Sequence, residues 1–135
     1  MVVALAHPTT NGTTARPATP ATPTYTAAEV AAAHQKLCEV YKLAARSVQI
    51  DTNGDNPALA GVAAVNGALM LEQEVSAAPA LAPADRVAAL ALAAAYTNAN
   101  ATGSIAIGRD DPAFRAAVDD VNVKDARMKA VCGGG

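Results

Sequence analysis

The sequence is poor in aromatic residues, with no Trp, one Phe and three Tyr among 135 residues. Large side chains that could fill a core are therefore scarce, and alanine, with 36 residues, supplies much of the apolar composition. Alanine is the best helix former, but it buries little apolar area. The composition predicts one domain of closely packed helices around a thin core, in which a covalent cross-link would be useful.

An excess of charge of one sign is also missing, since the formal net charge is only -2. A nucleic-acid-binding domain usually carries a basic stripe. The densest basic run, formed by Lys36, Lys42 and Arg46, is interrupted by Glu39 and is typical of a solvated helix face. Binding to nucleic acid is not expected.

No segment reaches the roughly 20 apolar residues that a membrane-spanning helix requires. The short run from Val2 to Ala6 stops at His7 and Pro8. We interpret it as the end of a signal or membrane segment whose beginning is missing, although an ordinary N-terminus would look the same. Residues 9–26 alternate Thr and Pro with Ala, as in extended spacers. Residues 1–24 are therefore assigned to a linker and residues 25–135 to a helical domain.

The two cysteines, Cys38 and Cys132, are far apart in the sequence. Such spacing differs from the CxxC motifs of zinc ribbons and thioredoxin-like proteins. A disulfide between Cys38 and Cys132 is the preferred interpretation, and a redox or metal-binding pair is the alternative. A disulfide would place the domain in an oxidising compartment.

The first helix is predicted to begin after Thr26 and to end near Ile50. Thr26 and Glu29 have the spacing of a capping box, in which both side chains satisfy free amides. Apolar residues then recur at three- and four-residue steps, which predicts one buried face. Its members are Val30, Leu37, Tyr41, Ala44 and Val48.

The segment DTNGDNP, residues 51–57, resembles the start of a calcium-binding loop. That loop needs Gly at its sixth place and Glu at its twelfth, but the sequence has Asn56 and Val62 there. A turn between two helices is the better interpretation. Gly54 would end the first helix in a left-handed conformation. Asn56 would cap the second helix, and Pro57 would be its first residue.

Three further helices are predicted from the same signals. The second covers residues 57–78, the third begins at Pro83 with Asp85 in its first turn, and the fourth begins at Asp111 and Pro112. The third helix is expected to fade through TNANATG, and Ile105 and Ile107 are expected to enter the core from the loop that follows it. The predicted inner faces are Leu59, Val62, Val65, Leu69 and Met70 of the second helix, Val87, Leu90, Leu92, Ala94 and Tyr96 of the third, and Phe114, Val118, Val121, Met128 and Cys132 of the fourth.

Four helices with short connectors predict an all-α fold, an antiparallel four-helix bundle of up-down-up-down topology. The fourth helix would then run back toward the start of the first. If the two helices are staggered, Cys132 can meet Cys38, so the disulfide is compatible with the predicted topology.

Candidate reactive groups are few. His34 and Cys38 share a helix face and could bind a metal together with Cys132, although a disulfide would consume both sulfurs. His34 and Tyr41 could present axial ligands to haem, but packing in the core is the commoner role. Asp125 lies near the buried stripe, where Arg46 or Lys42 of the first helix would be its partner. No catalytic motif is present, so neither an enzyme nor a bound cofactor is predicted.

Two segments of the sequence resemble a known family. They are TYTAAEVAAAHQKLCEVYKLAARSVQIDTNGDNPALA and, near the end, AVDDVNVKDARMKAVCGG. The chain from about residue 23 to 134 resembles the exported domain of alanine- and proline-rich membrane-anchored proteins of mycobacteria and related actinobacteria. The resemblance implies an N-terminal membrane segment and an extracytoplasmic domain. It carries over no catalytic residues.

Together these observations predict a non-catalytic extracytoplasmic helical module of the cell envelope that binds another envelope protein. The alternative is a carrier that holds a small apolar ligand, such as a lipid or haem, between the helices. A third hypothesis is metal or redox chemistry at His34, Cys38 and Cys132. The oligomeric state is not predicted, because an Ala-rich stripe packs equally well within and between chains.

Overall fold

A computed structural model describes residues 23–133 of the chain. It contains four helices, α1 (Ala27–Thr52), α2 (Pro57–Ala77), α3 (Pro83–Ile105) and α4 (Pro112–Val131), and no strand within these residues. Consecutive helices pack against each other, and the predicted antiparallel, up-down-up-down bundle is confirmed. The linker predicted for residues 1–24 lies almost wholly outside the described residues.

Polar side chains begin three of the four helices, as the sequence predicted. The Thr26 hydroxyl accepts a hydrogen bond from the Glu29 amide at 3.1 Å. In a full capping box the Glu29 carboxylate would accept a hydrogen bond from the Thr26 backbone amide. Here it accepts one from the Thr26 hydroxyl instead. The side chains of Asn56 and Asp111 cap α2 and α4, and a proline follows each of them. These caps satisfy amides that the first helical turn leaves free.

The DTNGDNP segment forms the turn between α1 and α2. Asp51 and Thr52 still belong to α1, and Asn53 is its C-cap. Asn56 accepts a hydrogen bond from the Ala58 amide at 3.0 Å, which confirms its role as the N-cap of α2. The left-handed conformation predicted for Gly54 is wrong, because Gly133 is the one residue with positive φ among those described.

The inner face of α2 consists mostly of small residues. The inner face that was predicted for this helix is wrong. Leu59, Val62, Val65 and Leu69 are all exposed, with Val62 55% exposed and Leu69 48%. The buried residues of α2 are Ala63, Ala64, Gly67, Ala68, Leu71 and Val75. A Cβ atom at Gly67 would lie 3.2 Å from Tyr96 of α3 and 3.5 Å from Val48 of α1. The neighbouring helices therefore approach α2 so closely that small side chains fit its inner face best.

In α3, as in α2, several of the large aliphatic residues predicted to face the core lie outside, and small residues lie inside. Leu92 and Tyr96 are buried as predicted, but Val87, Leu90 and Ala94 point outward. Alanine fills the rest of the inner face, at positions 88, 89, 93 and 95. Small residues thus fill most of the inner face of α3, while three of its large aliphatic side chains, Val87, Leu90 and Ile105, lie outside.

The helix also continues through TNANATG, where the sequence predicted that it would fade. Hydroxyls of this segment bond to carbonyls one turn earlier, as Thr97 does to Ala93 and Thr102 to Asn98. These polar side chains are satisfied within the helix. Because α3 extends to Ile105, neither Ile105 nor Ile107 reaches the core, and both are almost fully exposed.

Helix α4 keeps part of its predicted stripe. Met128 is fully buried, and Val121 and Cys132 pack against the core, whereas Val118 is exposed. Phe114 lies beside α3, where a Cβ atom at Gly103 would come within 2.9 Å of its ring. No helix within residues 23–133 combines the length and the apolar character that crossing a membrane requires.

The orientation of α2 predicts that two of its leucines contribute very differently to the free energy of unfolding. Leu71→Ala should lower the free energy of unfolding by about 2–5 kcal/mol, because Leu71 is completely buried and its loss leaves a cavity. Leu69→Ala should change it by less than about 1 kcal/mol, because half of Leu69 is in solvent. Urea unfolding of both variants makes the comparison, and equal losses would contradict the observed orientation of α2.

Candidate functional site

The predicted disulfide joins α1 to the end of α4. Cys38 lies in the third turn of α1 and Cys132 is the C-cap of α4. Their sulfurs are 2.05 Å apart and their Cα atoms 5.5 Å apart, which is ordinary disulfide geometry. The predicted pairing and the stagger of the two helices are both confirmed. A disulfide suggests an oxidising environment outside the cytoplasm.

A histidine and a carboxylate lie beside this disulfide. His34, one turn before Cys38 in α1, places its Nδ1 atom 2.7 Å from Asp85 Oδ2. The other ring nitrogen, Nε2, lies 3.7 Å from Cys38 Sγ. Asp85 belongs to the first turn of α3. His34 thus connects α3 to the disulfide, and it is partly open to solvent, with 39% of its side chain exposed.

The sequence analysis identified residues of this cluster but did not predict how they are arranged. His34, Cys38 and Cys132 were singled out as a possible metal set, but both sulfurs belong to the disulfide. No group of three or more potential metal-binding side chains occurs in the part of the chain that the structure describes. Asp85 was assigned only to the positive end of α3. The missed signal is that α1 and α3 are parallel in this topology, so residues near their N-termini lie at the same end.

A second polar group ties α1 to α4. The Tyr41 hydroxyl donates a hydrogen bond to Asp125 Oδ1 at 2.7 Å, and Lys129 Nζ lies 3.1 Å from Asp125 Oδ2. The prediction that Arg46 or Lys42 would pair with Asp125 is wrong. Both basic side chains are exposed, whereas Tyr41 points inward from the buried stripe of α1. A buried phenol therefore supplies the donor.

This arrangement raises the pKa of two tyrosines. Burial is the main cause for Tyr41, and its hydrogen bond to the Asp125 carboxylate adds to the effect. Burial also raises the pKa of Tyr96, with a further contribution from the negative charge of Asp125. Both phenols remain protonated where a free phenol would ionise. Tyr41 is thus held as a hydrogen-bond donor, which differs from the haem ligand considered from the sequence.

Arg86 makes a third polar tie, at the end of α2. Its guanidinium donates hydrogen bonds to the backbone carbonyls of Val75 and Ala78, both at 3.1 Å. The same carbonyls also accept backbone hydrogen bonds from the amides of Ala78 and Leu81, so Arg86 is an additional donor at this helix end. Arg86 is therefore a structural residue that joins the start of α3 to the end of α2.

The outer surfaces of α2 and α3 lack charge over long stretches. Residues 57–71 of α2 and 87–105 of α3 include no Asp, Glu, Lys or Arg. The two helices are antiparallel neighbours, since a Cβ atom at Gly61 would touch Asn100. We call the outer surface of these two stretches the uncharged face. It carries seven of the twelve large aliphatic side chains that are exposed within residues 23–133, namely Leu59, Val62, Val65, Leu69, Val87, Leu90 and Ile105.

Two depressions in the surface of the described residues are open, and each lies on a single helix. One, of about 270 Å³, is lined by Leu43, Arg46, Ser47, Ile50 and Asp51 of α1. The other, of about 510 Å³, is lined by Leu69, Glu72, Gln73, Ser76 and Ala77 of α2. Neither depression lies between helices, where an apolar ligand of a bundle would bind.

The sequence predicts that the first of two adjacent carboxylate pairs, Asp110–Asp111, caps a helix and that the second, Asp119–Asp120, lies on a solvated face. Asp111 caps α4, and Asp120 pairs with Lys124 one turn later. Asp110 and Asp119 are exposed. The sequence interpretation of the first pair as a helix cap is confirmed, and the second lies on a largely solvated face.

No family model, curated protein or solved structure matches this chain.

The raised pKa values of Tyr41 and Tyr96 predict a loss of stability at high pH. Tyrosines of the unfolded chain lose their protons above about pH 10, while the two buried phenols keep theirs. The unfolded state then binds fewer protons, so the free energy of unfolding is unaffected below about pH 10 and falls as the pH rises beyond it. Urea unfolding at about pH 9 and about pH 11 measures this fall.

Two phenylalanine variants assign the effect. Tyr41→Phe and Tyr96→Phe should each remove the contribution of one tyrosine to the fall in unfolding free energy at high pH. That contribution is up to about 1.4 kcal/mol per pH unit. Tyr41→Phe alone should also lower the stability at neutral pH, by about 1–3 kcal/mol, because Asp125 loses its hydrogen-bond donor. An unchanged pH dependence in the double variant would contradict the assignment.

Proposed function

We propose that this domain is a non-catalytic module of the cell envelope that binds another envelope protein through the uncharged face. The observation that carries the proposal is the exposed, charge-free surface of residues 57–71 and 87–105. Monomeric proteins rarely expose large contiguous apolar patches, and those they do expose are often interaction sites. The location in the envelope is supported by the disulfide, the Thr/Pro spacer and the family resemblance.

The chemistry of the face defines the partner. Contact with a charged surface would remove that charge from water without offering an opposite charge in return, which is unfavourable. The partner should therefore present an apolar surface without charged residues at its centre. Val62, Val65 and Leu69 follow one another at three- and four-residue spacings, which is the pattern that a helix offers to another helix. We infer that the partner contributes a helix with an apolar stripe.

The core composition explains why such a face exists. Most large aliphatic residues of α2 and α3 lie outside, because alanine and glycine occupy much of the inner faces and permit close packing. Exposing them instead makes the isolated domain more prone to association. A partner that covers them would recover hydrophobic free energy that the fold itself leaves unused.

The carrier hypothesis has less support. A ligand between the helices needs an internal cavity, and the two depressions described above each lie on one helix. Four large side chains, Leu37, Leu71, Leu92 and Met128, are completely buried at the centre of the bundle. The binding module therefore remains the preferred function.

The test places two positive charges on the uncharged face. Val65→Lys combined with Leu90→Lys should abolish partner binding, because both charges would be buried in the complex. The matched control is Leu43→Lys combined with Val123→Lys, which adds the same charges to exposed positions of α1 and α4. A photoreactive side chain at Val62 or Val87 reports the contact in cells that export the protein.

The proposal expects one discrete cross-linked protein, identical from positions 62 and 87, that disappears in the face variant and persists in the control. Cross-links that survive in the face variant would overturn it. Sedimentation of the purified chain adds a second criterion. A stable dimer that the face variant dissociates would show that a second copy occupies the face, and it would overturn the proposal of a different protein.

A further inference from the structure

In the cluster at the disulfide, the contact between His34 and Cys38 is weak as long as the disulfide is intact. His34 Nε2 lies 3.7 Å from Cys38 Sγ, and a disulfide sulfur is at best a weak hydrogen-bond acceptor. A thiolate at the same position would be a strong partner for a protonated imidazole, as in proteins with reactive cysteines. The imidazole is thus placed where it would stabilise the reduced form of Cys38.

Asp85 holds the imidazole in this orientation. Its carboxylate accepts a hydrogen bond from Nδ1 of His34 at 2.7 Å, which leaves Nε2 directed toward the sulfur. Asp85 acts through His34 and does not touch the sulfur, so it is a positioning residue.

The exposure of the two sulfur-bearing residues sets the direction of attack. Cys38 is only 7% exposed, whereas Cys132 is half-buried at the end of α4. An external thiolate therefore has better access to Cys132. Attack there expels Cys38, which is the sulfur beside His34.

We propose that the Cys38–Cys132 disulfide is redox-active and exchanges with external thiols, with His34 stabilising the leaving thiolate of Cys38. An attacking thiolate forms a bond to Cys132 Sγ. The bond between the two cysteine sulfurs breaks, and its electron pair moves to Cys38 Sγ, which pairs with the protonated His34 or takes its proton. A second external thiolate then attacks the mixed disulfide. The external thiols leave as their disulfide, and both cysteines are reduced.

The spacing within α1 lets this interaction survive reduction. His34 and Cys38 are four residues apart on one helix, so their contact does not depend on α4 remaining attached. Separation of Cys132 from Cys38 would leave the imidazole next to the new thiolate. The reaction is stoichiometric, and it does not depend on the proposed binding at the uncharged face.

The experiment is a redox titration of the full chain. The purified protein is equilibrated with mixtures of reduced and oxidised dithiothreitol at neutral pH, and free thiols are trapped and counted by mass spectrometry. His34→Gln keeps a polar side chain but removes the imidazole ring. The variant should shift the equilibrium about tenfold toward the disulfide, which corresponds to a reduction potential about 30 mV more negative. Asp85→Asn should shift it in the same direction, and Asp85→Glu should restore part of the wild-type value.

The control is Lys124→Gln, which removes a cation of an ion pair within α4 and should leave the potential unchanged. Circular dichroism of the reduced wild-type chain establishes whether the helices persist. If His34 and Asp85 were only a structural tie, their loss would weaken the oxidised and reduced folds alike and leave the potential at the wild-type value. That result, or a reduced chain without helices, would overturn the proposal.

Discussion

The close approach of α2 to both of its neighbours is the constraint on which the rest of the structure depends. It is possible because the inner faces of α2 and α3 consist largely of alanine and glycine, so that Gly67 can lie against Tyr96 and Val48. Small residues bring helix axes together, but each buries little apolar area. The fold therefore gains close packing and keeps a thin core with few large side chains.

Two features of the molecule follow from this thin core. One is the set of specific ties between helices, which are the disulfide, the Tyr41–Asp125 hydrogen bond and the His34–Asp85 pair. The first two join α1 to α4, a pair of helices that is distant in sequence. In the chain-entropy model a disulfide that closes a loop of 94 residues can contribute up to about 4–5 kcal/mol. The other feature is the uncharged face, where large aliphatic residues excluded from the interior remain in solvent.

These two features lie on different parts of the bundle and support different roles. The uncharged face covers the outer sides of α2 and α3 and offers a surface for a partner. The disulfide with His34 and Asp85 lies where α1, the end of α4 and the start of α3 meet. Reduction would remove the covalent tie between α1 and α4 and leave the residues of the uncharged face in place. Binding and thiol exchange can therefore be tested independently of each other.

The sequence by itself determined the helices, their caps and the topology. Thr26, Asn56 and Asp111 act locally, through hydrogen bonds to amides within three residues. Their roles can therefore be predicted without knowledge of the fold. Short connectors imply antiparallel neighbours, and two cysteines in a chain with so thin a core imply their pairing. The buried positions of Leu37, Tyr41 and Met128 also follow from the helical period.

Tertiary structure alone decided which faces of α2 and α3 point inward. Where a helix is rich in alanine, both of its faces are apolar, and periodicity cannot choose between a stripe of Leu and Val and a stripe of Ala and Gly. The distance between helices makes that choice, because side-chain volume must match the space available. The pairing of His34 with Asp85, 51 residues apart, is likewise invisible in the sequence, since it requires two helices to start at the same end of the bundle.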